Sequence, residues 1–339
     1  MSIFPETNLV AVSRFIMPSP IVLTIVLNYK TAEMTIEAAA AARIAMAGLP
    51  GEIVIVDNDS QDGSFEIIKS HVAAAGWDRT RVIQSAVNGG YGAGNNVGIR
   101  AGLSDGGRPD FIYILNSDAF PQPDAIKVLY NHLIANPKIG FAGSFIHGDD
   151  GVQHTTTFRF PSIFSEIEGA IRFGPVTRLL RNYRVPVDNL DETGPVDWLA
   201  GASLMMRQDV LDQIGLFDET FFLYFEETDL CRRARNVGYE VVFLRESVVM
   251  HLGSVSTGMK TWARTPTYWY DSRFYYFSKN HGKLYAAAAT LLHVSFGSLN
   301  WVRCMLTGKD SGLSPAFLRT LAHHDLMALF SSKTSQIGD

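Results

Sequence analysis

A short apolar run that ends in an acidic residue constrains the fold of this chain more than any other feature. Residues 111–115, Phe-Ile-Tyr-Ile-Leu, predict a buried strand, and Asn116, Ser117 and Asp118 follow directly. Burying an unpaired carboxylate costs roughly several kcal/mol, so Asp118 is expected to face a crevice. Open α/β sheets bind ligands at the carboxyl ends of their strands. A divalent cation that carries a diphosphate is a natural partner for such a carboxylate.

Strands and helices alternate along the chain, the pattern of a parallel sheet covered by helices. In the first half, strands are predicted at residues 21–27, 52–56, 81–84 and 111–115, and helices at 32–47, 63–75, 95–103 and 123–135. Regular pattern returns at 196–206, with helices predicted at 208–214 and 226–236 and strands at 240–244 and 247–250. Residues 151–195 between these halves lack clear periodicity and are predicted to form a long, mobile surface excursion.

Composition narrows the class of protein. Of 339 residues, 47% are hydrophobic and 19% are charged, which is enough for a sizeable core. The net charge of −5 argues against a nucleic-acid partner, which would require a basic stripe. The two cysteines, Cys231 and Cys304, are too few for a disulfide framework and favour a reducing compartment. Residues 1–19 lack signal-peptide features and are predicted to be a loose, unprocessed extension.

Polar residues follow the first two predicted strands. Asp57 and Asn58 end the second strand, beside Asn28 at the end of the first. An ionised Asp57 could accept an N–H from a uracil or thymine ring. Ser60 and Asp62 further along are equally well explained as caps of the next helix.

A glycine-rich run follows the third predicted strand. It begins with Asn88, continues through Gly90 and Tyr91, and ends with Asn95 and Asn96. Its spacing does not fit the Gly-x-Gly-x-x-Gly dinucleotide fingerprint. Such glycines let the backbone approach a nucleotide or sugar closely.

Acidic and aromatic residues lie close together in the second half of the chain. Glu226 and Glu227 are adjacent, follow Phe225 and precede Asp229. Aromatic faces beside carboxylates suit sugar rings and a general base. The alternative, acids that favour a helix N-terminus, explains Asp229 but not the adjacent pair. Two such neighbours should repel each other and raise an apparent pKa.

His251 ends an apolar strand. As a lone histidine, it could be either a metal ligand or a satisfied structural group. The sequence leaves both open.

Together and in this order, these motifs resemble those of family 2 glycosyltransferases of the GT-A fold, and within them the bacterial rhamnosyltransferase-like branch. The resemblance spans residues 20–258. Its motifs are Val26-Leu27-Asn28-Tyr29, Val56-Asp57-Asn58 through Asp62-Gly63-Ser64, residues 88–96, Leu115-Asn116-Ser117-Asp118, Gly201-Ala202, residues 215–219 and residues 226–230. It implies an α/β fold with a Rossmann-like, mostly parallel central sheet flanked by helices and a C-terminal helical tail.

The activity that the resemblance implies is inverting, metal-dependent transfer of a sugar from a nucleotide-diphosphate donor, a dTDP- or UDP-sugar, during cell-surface polysaccharide synthesis. The preferred donor is dTDP-rhamnose, and the acceptor is a glycan or a polyprenyl-diphosphate-linked intermediate. Catalytically degenerate scaffolds and sugar-binding modules remain alternatives. The sequence departs from the usual Asp-x-Asp at Asn116 and carries Glu227 where many relatives have Asp.

The resemblance also implies site roles. Glu227 would be the catalytic base, with Glu226 as the fallback, and Asp118 and His251 would hold Mg²⁺ or Mn²⁺. The donor-binding residues would be Asn28, Asp57, Asn58, Asn88, Gly90, Tyr91, Asn95, Asn116, Ser117 and Asp118. The acceptor-binding residues would be Trp198, Gly201, Ala202 and Asp229. Residues 20–150 would form the nucleotide-sugar half and 196–275 the acceptor half.

The tail, residues 276–339, is predicted to be helical. Residues 284–306 are apolar and long enough to cross a bilayer, but His293, Asn300 and Arg303 disfavour spanning. Flanking tryptophan, tyrosine and basic residues suit a helix lying in the membrane interface. The alternative is a helix packed on the catalytic domain. The expected location is the cytoplasm, peripheral on the cytoplasmic face of the inner membrane.

Overall fold

A mixed sheet of nine strands forms the centre of the computed structural model, which describes residues 19–187, 190–253, 264–313 and 316–330. The strands are β1 Val22–Asn28, β2 Gly51–Asp57, β3 Thr80–Gln84, β4 Phe111–Asn116, β5 Ala119–Pro121, β6 Ile139–His147, β8 Gly194–Val196, β10 Ser203–Arg207 and β11 Glu240–His251. Two short strands, β7 Thr157–Phe158 and β9 Trp198–Leu199, pair separately.

Strand order runs β3-β2-β1-β4-β10-β6-β11-β5, and β8 pairs with β11. The first four strands in this order are mutually parallel, as predicted. β10 is antiparallel to both of its neighbours, β4 and β6, and β11 runs parallel to β6. The sheet is therefore mostly parallel, with an inserted strand of opposite direction at its centre.

Helices cover both faces of the sheet. They are α1 Ala32–Ala45, α2 Ser64–Ala74, α3 Gly90–Ala101, α4 Ala125–Ala135, α5 Ile163–Ile171, α6 Gly174–Leu179, α7 Gln208–Ile214, α8 Glu226–Asn236, α9 Thr267–His281, α10 Lys283–Thr307 and α11 Phe317–Phe330. Alternate residues of β1 divide between two cores. Val22 and Val26 pack with the side of α1 and α4, whereas Leu23 and Ile25 pack with the side of α3 and α8. Burial on both faces explains why these strands are continuous apolar runs.

The strand register brings the predicted polar residues to one edge. Asn28 pairs with Asp57, and Leu27 pairs with Asn116. The carboxyl ends of β1, β2 and β4 therefore meet at the edge where an open α/β sheet binds its ligand.

Several elements differ from the sequence prediction. Helix α3 begins at Gly90, within the glycine-rich run, rather than at residue 95. The strands predicted at residues 240–244 and 247–250 are one strand, β11, with a register shift between Leu244 and Val248. Strand β6 was not predicted at all, although it lies beside β11 inside the sheet.

The segment predicted to be an irregular excursion, residues 151–195, contains regular structure. It holds β7, α5, α6 and β8, and its helix α5 packs against α10. A capping box at Ser162 starts α5, since Ser162 and Ser165 bond each other's backbone N–H groups. Its mobility remains a prediction.

The C-terminal helices pack on one another and on the sheet domain. Phe221, in the loop before α8, joins Phe274 and Phe277 of α9 and Ala286 and Ala289 of α10 in a third apolar cluster. In the described ranges, no helix is both long and apolar enough to cross a membrane. The predicted extension falls largely outside these ranges, as does the end of the tail, residues 331–339.

Candidate active site

A cavity of about 1090 Å³ opens at the carboxyl edge of the sheet and continues to helices α5, α9 and α10. Predicted site residues that line it are Asn58, Asn88, Gly90, Tyr91, Asn116, Ser117, Asp118, Trp198, Gly201, Ala202, Glu226, Glu227 and His251. Four other predicted site residues do not: Asn28, Asp57, Asn95 and Asp229. The fold thus gathers residues from both halves of the chain around one space.

Asp57 lies behind the cavity wall and is fully buried. Its carboxylate accepts hydrogen bonds from Asn28 Nδ2 at 2.7 Å and Gln84 Nε2 at 3.2 Å. It also accepts from the backbone N–H and the hydroxyl of Ser60. These bonds tie together the ends of β1, β2 and β3. A pyrimidine base would have to displace one of these donors, so base reading by Asp57 stays a prediction.

The glycine-rich run joins the donor-side loops to the loop before α8. Asn58 Nδ2 donates to Asn88 Oδ1 at 2.9 Å and to the Gly90 carbonyl at 3.1 Å. Gly90 has a φ of 90°, and a Cβ there would lie 1.8 Å from the Phe222 carbonyl oxygen. Only glycine fits this approach. The next residue, Tyr91, donates its N–H to the same carbonyl.

Two neighbouring asparagines in α3 serve the protein rather than the cavity. Asn95 Nδ2 donates to the Tyr91 carbonyl within the helix. Asn96, which sequence reasoning assigned no role, exchanges hydrogen bonds with the backbone of Phe217 and also donates to Glu219. Its predictive signal was only its place at the end of the glycine run.

Asp118 and His251 meet at the cavity wall. Asp118 Oδ1 is 3.0 Å from His251 Nε2, and Asp118 Oδ2 accepts the Gly253 N–H at 3.1 Å. Burial alone would raise the pKa of Asp118, but the hydrogen bond and charge of His251 and the backbone donors lower it below its usual value. The carboxylate is therefore held ionised. This contact joins the end of β4 to the end of β11.

The side chains of Asp118 and His251 fit a divalent cation to which the protein supplies only some of the ligands. Among the described residues, no group of three His, Cys, Asp or Glu side chains is arranged to hold a metal. A carboxylate and an imidazole nevertheless suit Mn²⁺, and phosphate oxygens and water commonly complete such sites. His154, which the sequence did not single out, also lines the cavity, and its ring centroid lies 6.1 Å from that of His251.

The two glutamates begin α8 after two residues, Tyr224 and Phe225, with φ of 70°. Glu227 Oε1 accepts the Gly201 N–H at 3.1 Å. Glu226 is 1% exposed, and its Oε2 has no hydrogen-bond partner in the part of the chain that the structure describes. Burial raises the pKa of Glu227, and burial together with the charge of Glu227 raises that of Glu226 well above its usual value. The raised pKa agrees with the sequence prediction, with burial as the larger cause.

Tyr91 and Gly201 fix the position of Glu227. Tyr91 donates its hydroxyl to the Gly201 carbonyl at 2.7 Å, and the Gly201 N–H in turn bonds Glu227. A Cβ on Gly201 would lie 2.3 Å from Tyr91 Oη and 2.8 Å from Glu227 Oε1. Burial raises the pKa of Tyr91 well above its usual value, and the charges of Glu227 and Glu226 add to the effect. Tyr91 therefore stays a neutral donor.

Trp198 forms an aromatic face of the cavity. Its ring stacks on Phe158, with centroids 4.1 Å apart and planes 15° apart. The indole Nε1 donates to the Arg159 carbonyl at 3.0 Å. Phe158 lies in the segment predicted to be irregular, so its pairing with Trp198 had no local sequence signal.

Asp229 is fully buried and lies between two cations. Arg233 Nε is 2.8 Å from Oδ2, and Lys279 Nζ is 2.8 Å from Oδ1. The Arg233 pair lies within α8, and the Lys279 pair links α8 to α9. They give Asp229 a structural role, and acceptor binding by this residue stays a prediction.

The fold is α/β with an acid-lined cavity at the carboxyl edge of its sheet, and comparison with known proteins gives the family. Residues 21–214 match the family model described as "Glycosyl transferase family 2", so the chain belongs to this glycosyltransferase family.

Curated relatives refine the class. A Mycobacterium tuberculosis N-acetylglucosaminyl-diphospho-decaprenol L-rhamnosyltransferase is 29% identical over 219 residues, which are 62% of this chain and 69% of the relative. The low-salt glycan biosynthesis hexosyltransferase Agl10 of Haloferax volcanii is 31% identical over 54% of this chain and 53% of its own length. Rhamnosyltransferase WbbL of Escherichia coli is 23% identical over 48% of this chain and 60% of its own length. The predicted resemblance to rhamnosyltransferases is confirmed.

Solved structures confirm the GT-A fold. S. aureus TarS 1-349 in complex with UDP-GlcNAc superposes with a TM-score of 0.54 at 14% identity, over 91% of this chain and 80% of that one. GalNAc-T7 with UDP, GalNAc and Mn²⁺ gives 0.54 at 11% identity, over 92% of this chain and 58% of that one. At such identities the likeness concerns the fold alone.

Proposed function

We propose that this glycosyltransferase moves L-rhamnose from dTDP-rhamnose, with inversion, to a sugar hydroxyl of a polyprenyl-diphosphate-linked glycan. The observation that carries the proposal is that Asp118 and Glu227 line one cavity, as a nucleotide-diphosphate donor and an activated acceptor require. The mycobacterial relative is an L-rhamnosyltransferase that acts on N-acetylglucosaminyl-diphospho-decaprenol, which supports the choice of sugar and acceptor. The UDP-GlcNAc complex of TarS supports a nucleotide-sugar donor.

On the donor side, residues 20–150 bind the nucleotide-sugar. Asn58, Asn88 and the Gly90 backbone form the wall beside the nucleoside, and Asn116 and Ser117 lie next to Asp118. Asp118 and His251 would hold Mg²⁺ or Mn²⁺, whose positive charge offsets the negative charge that develops on the departing diphosphate. The Mn²⁺ in the GalNAc-T7 complex supports a cation in such sites.

On the acceptor side, residues 196–275 supply the base. Glu227 takes the proton of the attacking hydroxyl, since the Gly201 N–H holds its Oε1 and burial moves its pKa toward neutral. A pKa nearer the working pH improves a general base. Glu226, whose pKa is raised further by its neighbour, keeps its proton and reduces repulsion within the pair. Direct attack opposite the departing diphosphate inverts the anomeric centre.

Helix α10 supports a peripheral membrane location on the cytoplasmic face. Large apolar side chains are exposed along it and on the end of α11: Leu284, Leu291, Leu299, Trp301, Val302, Met305, Leu306, Leu326, Met327 and Phe330. Lys283, Arg303 and Lys309 lie beside them. Apolar residues with basic neighbours suit an anionic bilayer surface. In a flotation assay, the wild type should rise with anionic vesicles, and a triple variant, Leu291→Ser, Leu299→Ser, Met305→Ser, should not. Equal flotation of the two proteins would show that this helix face does not bind the membrane.

The function is tested by incubating the protein with Mn²⁺, dTDP-rhamnose and N-acetylglucosaminyl diphosphate on a short polyprenyl chain. We expect a rhamnosylated lipid by mass spectrometry, with an α-to-β or β-to-α change of anomeric configuration by NMR. UDP-sugars and GDP-sugars serve as competing donors. If no donor is turned over and neither dTDP, UDP nor GDP stabilises the protein against heat, the proposed activity is wrong and a noncatalytic scaffold is favoured.

A further inference from the structure

The cavity has a second polar region, on helices outside the sheet. Glu166 of α5, Arg273 of α9 and His293 of α10 line the same cavity as Asp118 and Glu227. None of the three has a part in the chemistry proposed above. We define this group, Glu166, Arg273 and His293, as the helical polar group.

Hydrogen bonds within the helical polar group all converge on one oxygen. Glu166 Oε2 accepts from Arg273 Nη2 at 2.7 Å and lies 2.7 Å from His293 Nδ1. Glu166 Oε1 makes no hydrogen bond with any residue that the structure describes, and the side chain is 13% exposed. One carboxylate oxygen is thus left available at the cavity wall.

Glu166 remains charged in this position. Burial would raise its pKa, but the charge of Arg273 and the hydrogen bond of His293 lower it to about 2. An ionised carboxylate accepts stronger hydrogen bonds than a neutral group does. Arg273 is itself 1% exposed, and its Nε has no partner within the described ranges. The Glu166 side chain lines the open volume, so a donor on a bound molecule would satisfy its free oxygen.

The surrounding charges select against an anion. Asp325 pairs with Arg273 at 3.0 Å and with His324 at 2.8 Å, and Asp271 also pairs with His324. Burial would lower the pKa of His324, but hydrogen bonds to Asp271 and Asp325 raise it to about 9, so it is a cation that these two acids neutralise. Arg273 is likewise paired with both Glu166 and Asp325, which leaves no unpaired positive charge here for a phosphate. Trp269 and Phe225 nearby supply apolar surface of the kind that sugar rings contact.

We propose that the helical polar group is a subsite for an uncharged saccharide portion of the acceptor, whose hydroxyl or amide N–H donates to Glu166 Oε1. This inference rests on the proposed function, since it assumes a glycan acceptor. The acceptor's diphosphate stays outside this subsite. The helical tail and the segment of residues 151–195 therefore take part in acceptor choice.

Asp325 provides a matched control. Both Glu166 and Asp325 neutralise Arg273, but Asp325 does not line the cavity, and its side chain is 2% exposed. Glu166→Gln and Asp325→Asn each remove one charge from the same network. A purely structural network would make the two variants equivalent, whereas a binding role sets Glu166 apart.

The experiment titrates N,N′-diacetylchitobiose, an uncharged saccharide, against the full chain and follows tryptophan fluorescence. Trp198 and Trp269 line the cavity and report occupancy. We expect Glu166→Gln to weaken binding by about 10-fold, the loss of one hydrogen bond to a charged acceptor. Asp325→Asn should stay within about 2-fold of the wild type. Thermal stabilisation by dTDP with Mn²⁺ should be the same in all three proteins.

Equal weakening in both variants, or in neither, would overturn the subsite. If the saccharide does not bind the wild type but dTDP still stabilises this protein, the subsite is wrong and the proposed function stands. Saccharide binding without any nucleotide binding would overturn the proposed function alone. If Glu166→Gln does not fold, Glu166→Asp keeps the charge beside Arg273, shortens its reach into the cavity and should weaken saccharide binding in the same direction.

Discussion

The single carboxylate Asp118 and the carboxyl pair Glu226 and Glu227 lie in one cavity but differ in what surrounds them. At Asp118, a histidine and a backbone N–H face the charge, and the pKa falls below its usual value. At Glu226 and Glu227, burial raises both pKa values, and the charge of Glu227 adds to the effect on Glu226. Burial acts in the same direction at all three carboxyls, and only at Asp118 do a histidine and backbone donors reverse it. The hydrogen-bond partners of each carboxyl therefore separate the proposed cation site from the proposed proton acceptor.

The largest expected effect tests which glutamate is the base. Glu227→Gln should lower kcat by about 10²- to 10⁴-fold, because a positioned general base contributes that much. Donor binding, followed by thermal shift with dTDP and Mn²⁺, should not change. Glu226→Gln is the matched variant and should lower kcat far less, since burial and the charge of Glu227 raise the pKa of Glu226 well above its usual value. A larger loss in Glu226→Gln would exchange the two roles.

The next effect tests the donor side of the comparison. Asp118→Asn removes the ionised carboxylate but keeps the shape, so the Mn²⁺-dependent part of stabilisation by dTDP should disappear. In the wild type, ligand at about 100 times its dissociation constant adds roughly 2.7 kcal/mol to the free energy of unfolding. The exposed Asp149→Asn serves as the control and should keep the full shift. Unchanged Mn²⁺ dependence in Asp118→Asn would remove this residue from the cation site.

A smaller effect tests how Glu227 is positioned. Gly201→Ala places a Cβ against Tyr91 Oη and Glu227 Oε1, so kcat should fall by about 10-fold while the KM for donor holds. Gly194→Ala is the control, because a Cβ there meets nothing within 4 Å and the residue is not in a left-handed conformation. Equal kcat values for the two variants would show that the Gly201 contact does not position the base.

The smallest effect is a pH dependence of stability. Glu226 has a folded-state pKa above its usual 4.5, so the folded protein binds more protons than the unfolded chain and loses stability as pH rises above that value. We expect Glu226→Gln to reduce the fall in Tm between pH 5 and 8 by roughly a few degrees. Glu166 acts in the opposite direction, because its pKa is lowered to about 2. Its contribution to stability is present at neutral pH and is lost only in acid. If Tm falls with pH as much in Glu226→Gln as in the wild type, another group causes the fall.

Much of the fold could be predicted from local pattern. The apolar runs that form β1, β2 and β4 have buried residues on both faces, so composition alone marked them as strands. The bounds of α8 were predicted correctly, since charged and apolar residues alternate there with helical spacing. Strand β6 was missed because Pro137 and several glycines and alanines obscured its pattern.

The candidate site divides in the same way. Asp118 and the adjacent Glu226 and Glu227 were identified because an acid after a buried strand, or two acids beside aromatics, has no easy place in a core. The roles of Asn96, Phe158 and Glu166 were missed, because each depends on a partner many residues away.

The sequence by itself determined which residues carry charge and which segments are strands or helices, because periodicity and side-chain chemistry act over a few residues. Only the tertiary structure decided that Asp57 is sealed behind Asn28 and Gln84, that Gly201 holds Glu227, and that α5 docks on α10. These contacts join segments far apart in the chain. Their energy comes from packing and hydrogen bonds that exist only once the whole fold has formed, so no local pattern records them.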